Sequence, residues 1–192
     1  MCQKLLSDIN FFRALLHCDE DMAATCREAG CPYCEDVLHS AKYPRKPRGA
    51  CTALGDEYDY RFSFCCAVDD CRCRTTPPSV RFLGRRVYLG AVVVLICALA
   101  HGPSAKRVTR LQELIGVNRR TLERWRAWWL VELPRSTWWQ RARGELATTV
   151  DEARLPQSLL DCFDGDEASR LFAVLCTIIP ITTSSVVLNH SN

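Results

Sequence analysis

Cys31-Pro-Tyr-Cys34 is the feature that most constrains this chain. A CxxC turn lets two thiolates converge on one ion while its backbone amides point at the sulfurs. Such a pair is half of a tetrahedral metal site, so a second pair must come from elsewhere in the chain. Cys65, Cys66, Cys71 and Cys73 are the candidates. Cys66 and Cys71, spaced C-x4-C, are the preferred pair, and Cys73 is the alternative to Cys71. Cys65 and Cys66 are neighbours in a segment that reads as extended, so their side chains point to opposite faces and do not easily serve one ion together. The expected cofactor is therefore Zn2+ held by Cys31, Cys34, Cys66 and Cys71, with His39 as a substitute ligand. A redox CxxC competes for the first pair, but no βαβ pattern surrounds it. Two cysteine loops joined by short strands make a zinc-ribbon layout, and a metal would stabilise a segment with little other core.

The chain holds 13 cysteines in 192 residues. An odd count behind an N-terminus without an apolar signal core argues against a disulfide framework and for reduced thiols in a cytoplasmic protein. Cys2, Cys18, Cys97, Cys162 and Cys176 fall in or near helical apolar patterns and read as small hydrophobes. Cys26 and Cys51 are assigned to neither group.

The formal net charge of +3 conceals an uneven distribution. Residues 81–143 carry thirteen Lys/Arg against three Asp/Glu, whereas residues 1–60 carry seven against ten and residues 144–192 two against seven. A basic middle between acidic flanks points to a polyanionic partner for the middle. Val87–Ala100 and Leu171–Leu188 are apolar, but the first is too short to span a bilayer and Pro180 interrupts the second, so no membrane partner is expected.

Periodicity places an amphipathic helix over residues 3–18, a short one over 20–28, and an aromatic strand over 57–65 with Tyr58, Tyr60, Phe62 and Phe64 on one face. Residues 75–79 (TTPPS) read as a linker. Three helices are expected next, near 84–101, 104–115 and 118–130. A polar connection follows over 144–165, with a short helix near 155–163. The last helix covers 166–179 with Leu171, Val174, Leu175 and Ile178 inward, and residues 182–192 are expected to fray. The fold class is mainly α with a small β zinc ribbon. Its parts are an N-terminal helix and ribbon (1–79), a trihelical helix-turn-helix (80–143) and a C-terminal helical tail (144–192).

The helix-turn-helix reading rests on particular residues. Leu111, Leu114 and Ile115 form an inner face, Gly116 supplies the turn, Val117 plugs it and Asn118 caps the next helix. Leu122, Trp125 and Trp129 repeat inward, leaving Arg119, Arg120, Thr121, Glu123, Arg124 and Arg126 outside. This is the layout of a recognition helix: Arg119, Arg120, Thr121 and Arg124 read bases, while Arg81, Arg85, Arg86, Lys106 and Arg107 contact phosphates. The tryptophans read as core or interface in preference to a base-stacking platform.

The stretch from 104 to 130 resembles the helix-turn-helix units of bacterial transposases, resolvases and repressors. Gln112 departs from the small residue usual there. With the cysteine segment before it, the region from about 30 to 143 resembles the zinc-ribbon and helix-turn-helix N-terminal region of insertion-sequence transposases. Those proteins continue into a catalytic domain, for which the residues after 144 are too few, so the resemblance implies no enzyme activity. The expected function is sequence-specific binding of double-stranded DNA, as a mobile-element accessory protein or transcriptional regulator. No small-molecule substrate is expected, and a homodimer is an allowed assembly. The alternatives are a zinc-stabilised protein-protein interaction module and a truncated transposase remnant.

Overall fold

The computed structural model describes residues 5, 7–44, 54–83, 92–94, 109, 113, 116–146 and 149–183. It is mainly helical with a small antiparallel sheet. Helix α1 (Ile9–Glu28) starts at Asp8, whose carboxylate accepts from the amides of Asn10 and Phe11. Such a cap satisfies donors that a helix start otherwise leaves open. Its inner face buries Phe11, Phe12, Leu15, Leu16 and Ala23. The two helices expected over 3–18 and 20–28 are one from Ile9 onward. The polar run at 19–21 does not break it, because Asp19 is buried against Arg81 and so belongs to the inner face.

Strands β1 (Leu38–Ser40), β4 (Phe64–Cys66) and β5 (Arg74–Thr75) form a three-stranded antiparallel sheet in the order β1-β4-β5. Leu38 lies opposite Cys66, and Phe64 opposite Thr75. Strands β2 (Tyr43–Pro44) and β3 (Tyr60–Arg61) make a separate antiparallel pair. The single aromatic strand expected over 57–65 is therefore corrected. Residues Asp56–Asp59 form a 3-10 turn, which buries Tyr58 edge-on to Phe12 and leaves Tyr60 exposed.

Residues 75–79 are not a linker. Thr75 is paired in β5, and Pro77 and Ser79 are buried. The Pro77 and Pro78 carbonyls accept from Arg61, and the Ser79 amide donates to the Thr182 hydroxyl. Thr182 is thus a packed residue in the helical turn α6 (Pro180–Thr183), not part of a frayed end. Prolines stop the ladder here, but their carbonyls still accept hydrogen bonds.

Gly116 adopts a left-handed φ of +63° and leads into helix α2 (Arg119–Ala127), capped by Asn118 Oδ1 accepting from Thr121 N at 2.9 Å. One π turn (Trp128–Glu132) continues the helix, and Ser136 caps α3 (Thr137–Ala142). Trp125, Trp129 and Trp139 are buried, which removes them as a base-stacking platform. Trp139 Nε1 donates to Glu152. A short helix α4 (Gln157–Leu160) precedes α5 (Glu167–Thr177), which, with the residue after it, buries Leu171, Val174, Leu175 and Ile178 as its period predicts. Of the helix expected over 84–101, residues 92–94 are described; they are helical and buried. Leu111, Leu114 and Ile115 lie outside the described residues. Among the described residues no helix is long and apolar enough to cross a membrane.

Candidate metal centre and basic helix face

The two cysteine loops are built alike. In the first, Glu35 N donates to Cys31 O, and Cys31 N to Asp36 O. Glu35, just after the second cysteine, takes a φ of +62°. In the second, Arg72 N donates to Val68 O, and Arg72, just after Cys71, takes a φ of +42°. A left-handed residue at that point reverses the chain so that the amides behind it can face the sulfur. Gly30, at φ +77°, lets the first loop close: a Cβ there would stand 2.7 Å from Glu35 O. The loops are held together by β1 pairing with β4 and by Ala67 N donating to Val37 O, while Cys66 N donating to Cys73 O closes the second loop.

This framework brings Cys31, Cys34, Cys66 and Cys71 together, with all four sulfurs within 4.8 Å of one another. Cys31 Sγ lies 3.7 Å from Cys71 Sγ, and Cys34 Sγ 3.4 Å from Cys66 Sγ. A tetrahedron of sulfurs about 2.3 Å from a central ion has edges of about 3.8 Å, and these two separations lie near that edge. It is far longer than the ~2.05 Å of a disulfide. The four are close enough to hold a metal ion, and they are the four that the sequence selects.

The remaining candidates fall outside the group. Cys65 turns to the other face of β4, with its Sγ 3.6 Å from Arg72 O. His39 sits opposite Cys65 on β1, exposed and apart from the four sulfurs. Cys73 borders the site without joining it: its amide and its side chain both hydrogen-bond to the Cys71 sulfur. Cys18, Cys26, Cys162 and Cys176 are half-buried and free.

The electrostatics of the metal-free thiols follow from their crowding. The Cys73 amide stabilises the Cys71 thiolate more than burial opposes it, and with help from neighbouring thiols its pKa is lowered to about 7. The Asp36 amide favours a Cys34 thiolate, yet hydrogen bonding with Cys66, burial and the other thiols together push Cys34 up to about 12. Cys66 is likewise raised: the Val68 amide favours its thiolate, but burial and the neighbouring thiols outweigh it. One thiolate is readily tolerated here, and several need a cation among them.

No protein-family model, curated protein or solved structure matches the chain.

The second candidate region is helix α2. Leu122 and Trp125 face inward, while Arg119, Arg120, Glu123, Arg124 and Arg126 are exposed. Thr121 departs from its expected place on the outer surface. It is buried, and its hydroxyl accepts from Arg124 Nη2 at 3.2 Å, so it anchors an arginine and is not available to a base edge. Arg119 Nε donates to Glu123 Oε1 at 2.8 Å, one helical turn on. The i, i+4 spacing that makes this pair is readable in the sequence, yet Glu123 is absent from the residues selected there.

Arg81 is the clearest correction. It was expected at a phosphate but is fully buried, ion-paired to Asp19 and bonded to the Tyr58 and Tyr60 carbonyls. Tyr58, Phe62 and Phe82 surround its guanidinium. No local sequence signal reveals this, because its hydrogen-bonding partners come from two distant segments, α1 and residues 58–60. Arg85, Arg86, Lys106 and Arg107 lie outside the described residues.

Proposed function

We propose that this protein binds double-stranded DNA through helix α2 and that a structural Zn2+ at Cys31, Cys34, Cys66 and Cys71 holds the preceding segment together. The observation that carries the reading is the capped start of α2. A left-handed Gly116 turn and the Asn118 cap present Arg119, Arg120 and Arg124 on the exposed side of a helix anchored by Leu122 and Trp125. A recognition helix in a major groove needs that arrangement, since its N-terminal residues meet the base edges. The local excess of arginine would supply phosphate affinity by counterion release. Zinc fits the donor set, because four thiolates with tetrahedral spacing leave no open position for substrate. The centre is then structural, and the reading is of a binding protein in preference to an enzyme.

The proposal extends to a cytoplasmic regulator or mobile-element accessory protein related to the N-terminal region of transposases, with a homodimer as one assembly. It is tested by a gel-shift salt series on duplex DNA with the full chain. Affinity should fall linearly on logarithmic axes as salt rises, and charge reversal at Arg119 and Arg120 should abolish binding. Salt-independent affinity would overturn it.

A second reading, a zinc-stabilised protein-interaction module, is favoured by one observation: Tyr33 is 76% and Val37 60% exposed on the first cysteine loop. The same charge reversal separates the two readings, since it should spare a protein complex formed through that loop.

A further inference from the structure

The arginines of α2 are not equivalent, and the difference lies in how each guanidinium is held. Arg119 occupies the first helical position after the Asn118 cap, and its side chain is 75% exposed. Its Nε–H is engaged by Glu123 Oε1 at 2.8 Å. With Nε engaged by a carboxylate, the terminal Nη1/Nη2 edge of the planar guanidinium remains available as a two-donor fork, and the i, i+4 pair biases its orientation. That edge matches the O6 and N7 acceptors that guanine presents in the major groove. Arg124, by contrast, uses one terminal nitrogen on Thr121 Oγ1, which leaves it a poorer bidentate donor.

We propose that Arg119 is the guanine-reading side chain of this helix and that Glu123 is its positioning residue. The inference rests on the DNA-binding reading of α2 and adds to it a base preference and a role for an acid. An exposed carboxylate on a DNA-facing helix opposes binding through phosphate repulsion. Its presence is accounted for if it fixes the fork, so that what it costs in affinity is returned as discrimination. Free arginines grip phosphates in many geometries, whereas a fixed one accepts few partners.

The test uses the full chain. A duplex preferred by the wild type is first selected from a random pool. Each guanine in it is then replaced in turn by 7-deazaguanine, which lacks the N7 acceptor. At one position the replacement, which removes one of the two acceptors of a bidentate contact, should weaken wild-type binding by roughly tenfold. Arg119→Lys, which keeps the charge but loses the fork, should bind more weakly and be less sensitive to the same replacement. Glu123→Ala should lose most of the preference at that position while its affinity for unrelated duplex rises, because a negative charge has gone. Glu123→Gln, whose amide oxygen still accepts from Nε, should retain most of the preference. A simple folding defect cannot produce stronger non-specific binding together with lost discrimination at one base. If wild type selects a duplex but Arg119→Lys or Glu123→Ala discriminates as well as wild type does, the assignment is overturned and the DNA-binding reading stands. If wild type shows no salt-dependent duplex binding, both fall.

Discussion

Asp19 and Arg81, 62 residues apart in the chain, form a fully buried ion pair with Arg81 Nε donating to Asp19 Oδ2 at 2.8 Å. Every side-chain nitrogen and oxygen of the two residues is engaged. Asp19 also accepts from Ser79 Oγ and Val80 N, and Arg81 donates its two terminal nitrogens to the Tyr58 and Tyr60 carbonyls. The pair therefore fastens α1 to the 3-10 turn and to the segment that follows the sheet. Removing one partner of such a pair leaves an uncompensated buried charge at a cost of about 3–5 kcal/mol. Asp19→Ala should lower the free energy of unfolding by that amount, read as a shift of the urea midpoint. A change within the ~1 kcal/mol range of a surface pair would show that the interaction is not buried in solution.

Metal content distinguishes the cysteines. The purified chain should hold about one zinc per molecule. Cys31→Ser and Cys66→Ser should lose it, while Cys65→Ser should retain it because Cys65 faces away from the four sulfurs. Replacing the zinc with cobalt should give the visible absorption of a tetrahedral thiolate site. Chelation should lower the melting temperature, since metal binding and folding are linked.

Metal affinity should depend steeply on pH. Cys34 is pushed up to about 12 and Cys66 is raised above its ordinary value, so near neutrality both hold protons that the ion must displace. With these two alone at least two protons are released per ion, so the affinity falls by about a hundredfold or more for each pH unit of acidification. Competition with a chelator at several pH values measures the slope; a slope of one proton or fewer would contradict the thiol ordering. In the metal-free chain Cys71, lowered to about 7, acts with the opposite sign to Cys34. Its contribution to stability is full above the ordinary thiol value and is lost as the pH falls through about 7.

Gly30→Ala should damage the first cysteine loop without touching a ligand. The added Cβ would meet the Glu35 carbonyl at 2.7 Å, in a backbone conformation that side chains rarely adopt. Such positions cost about 1–3 kcal/mol when a non-glycine residue is forced into them. Weaker zinc retention under chelator, with all four thiols intact, is the expected result.

Capping and core changes in α2 should separate folding from recognition. Asn118→Ala removes the Thr121 amide's acceptor and should cost about 1 kcal/mol. Trp129→Ala empties a fully buried site and should cost about 3–5 kcal/mol. Arg120→Gln, at an exposed position, should leave the thermal midpoint unchanged while weakening duplex binding.

The amino-acid sequence by itself determined the features that depend on neighbours along the chain. The Cys31 and Cys34 turn, the Cys66 and Cys71 spacing, the Gly116 turn with its Asn118 cap, and the inward period of Leu122, Trp125 and Trp129 are all set within a few residues. Backbone reversal, capping and helical repeat are local chemistry, and the structure reproduces them. Tertiary structure alone decided what required partners from distant segments. Asp19 reads as a break in a helix until Arg81 arrives to neutralise it. Arg81 reads as a phosphate contact until Asp19 and two carbonyls enclose it. Thr121 sits at an outward spacing but is covered and becomes an anchor for Arg124. The tyrosines at 58 and 60 alternate like one strand but separate once the 3-10 turn packs against Phe12. Burying a charged side chain costs heavily unless it is paired and hydrogen-bonded. The partners of Asp19, Arg81 and Tyr58 lie tens of residues away, so the linear sequence holds their identities but not their meeting.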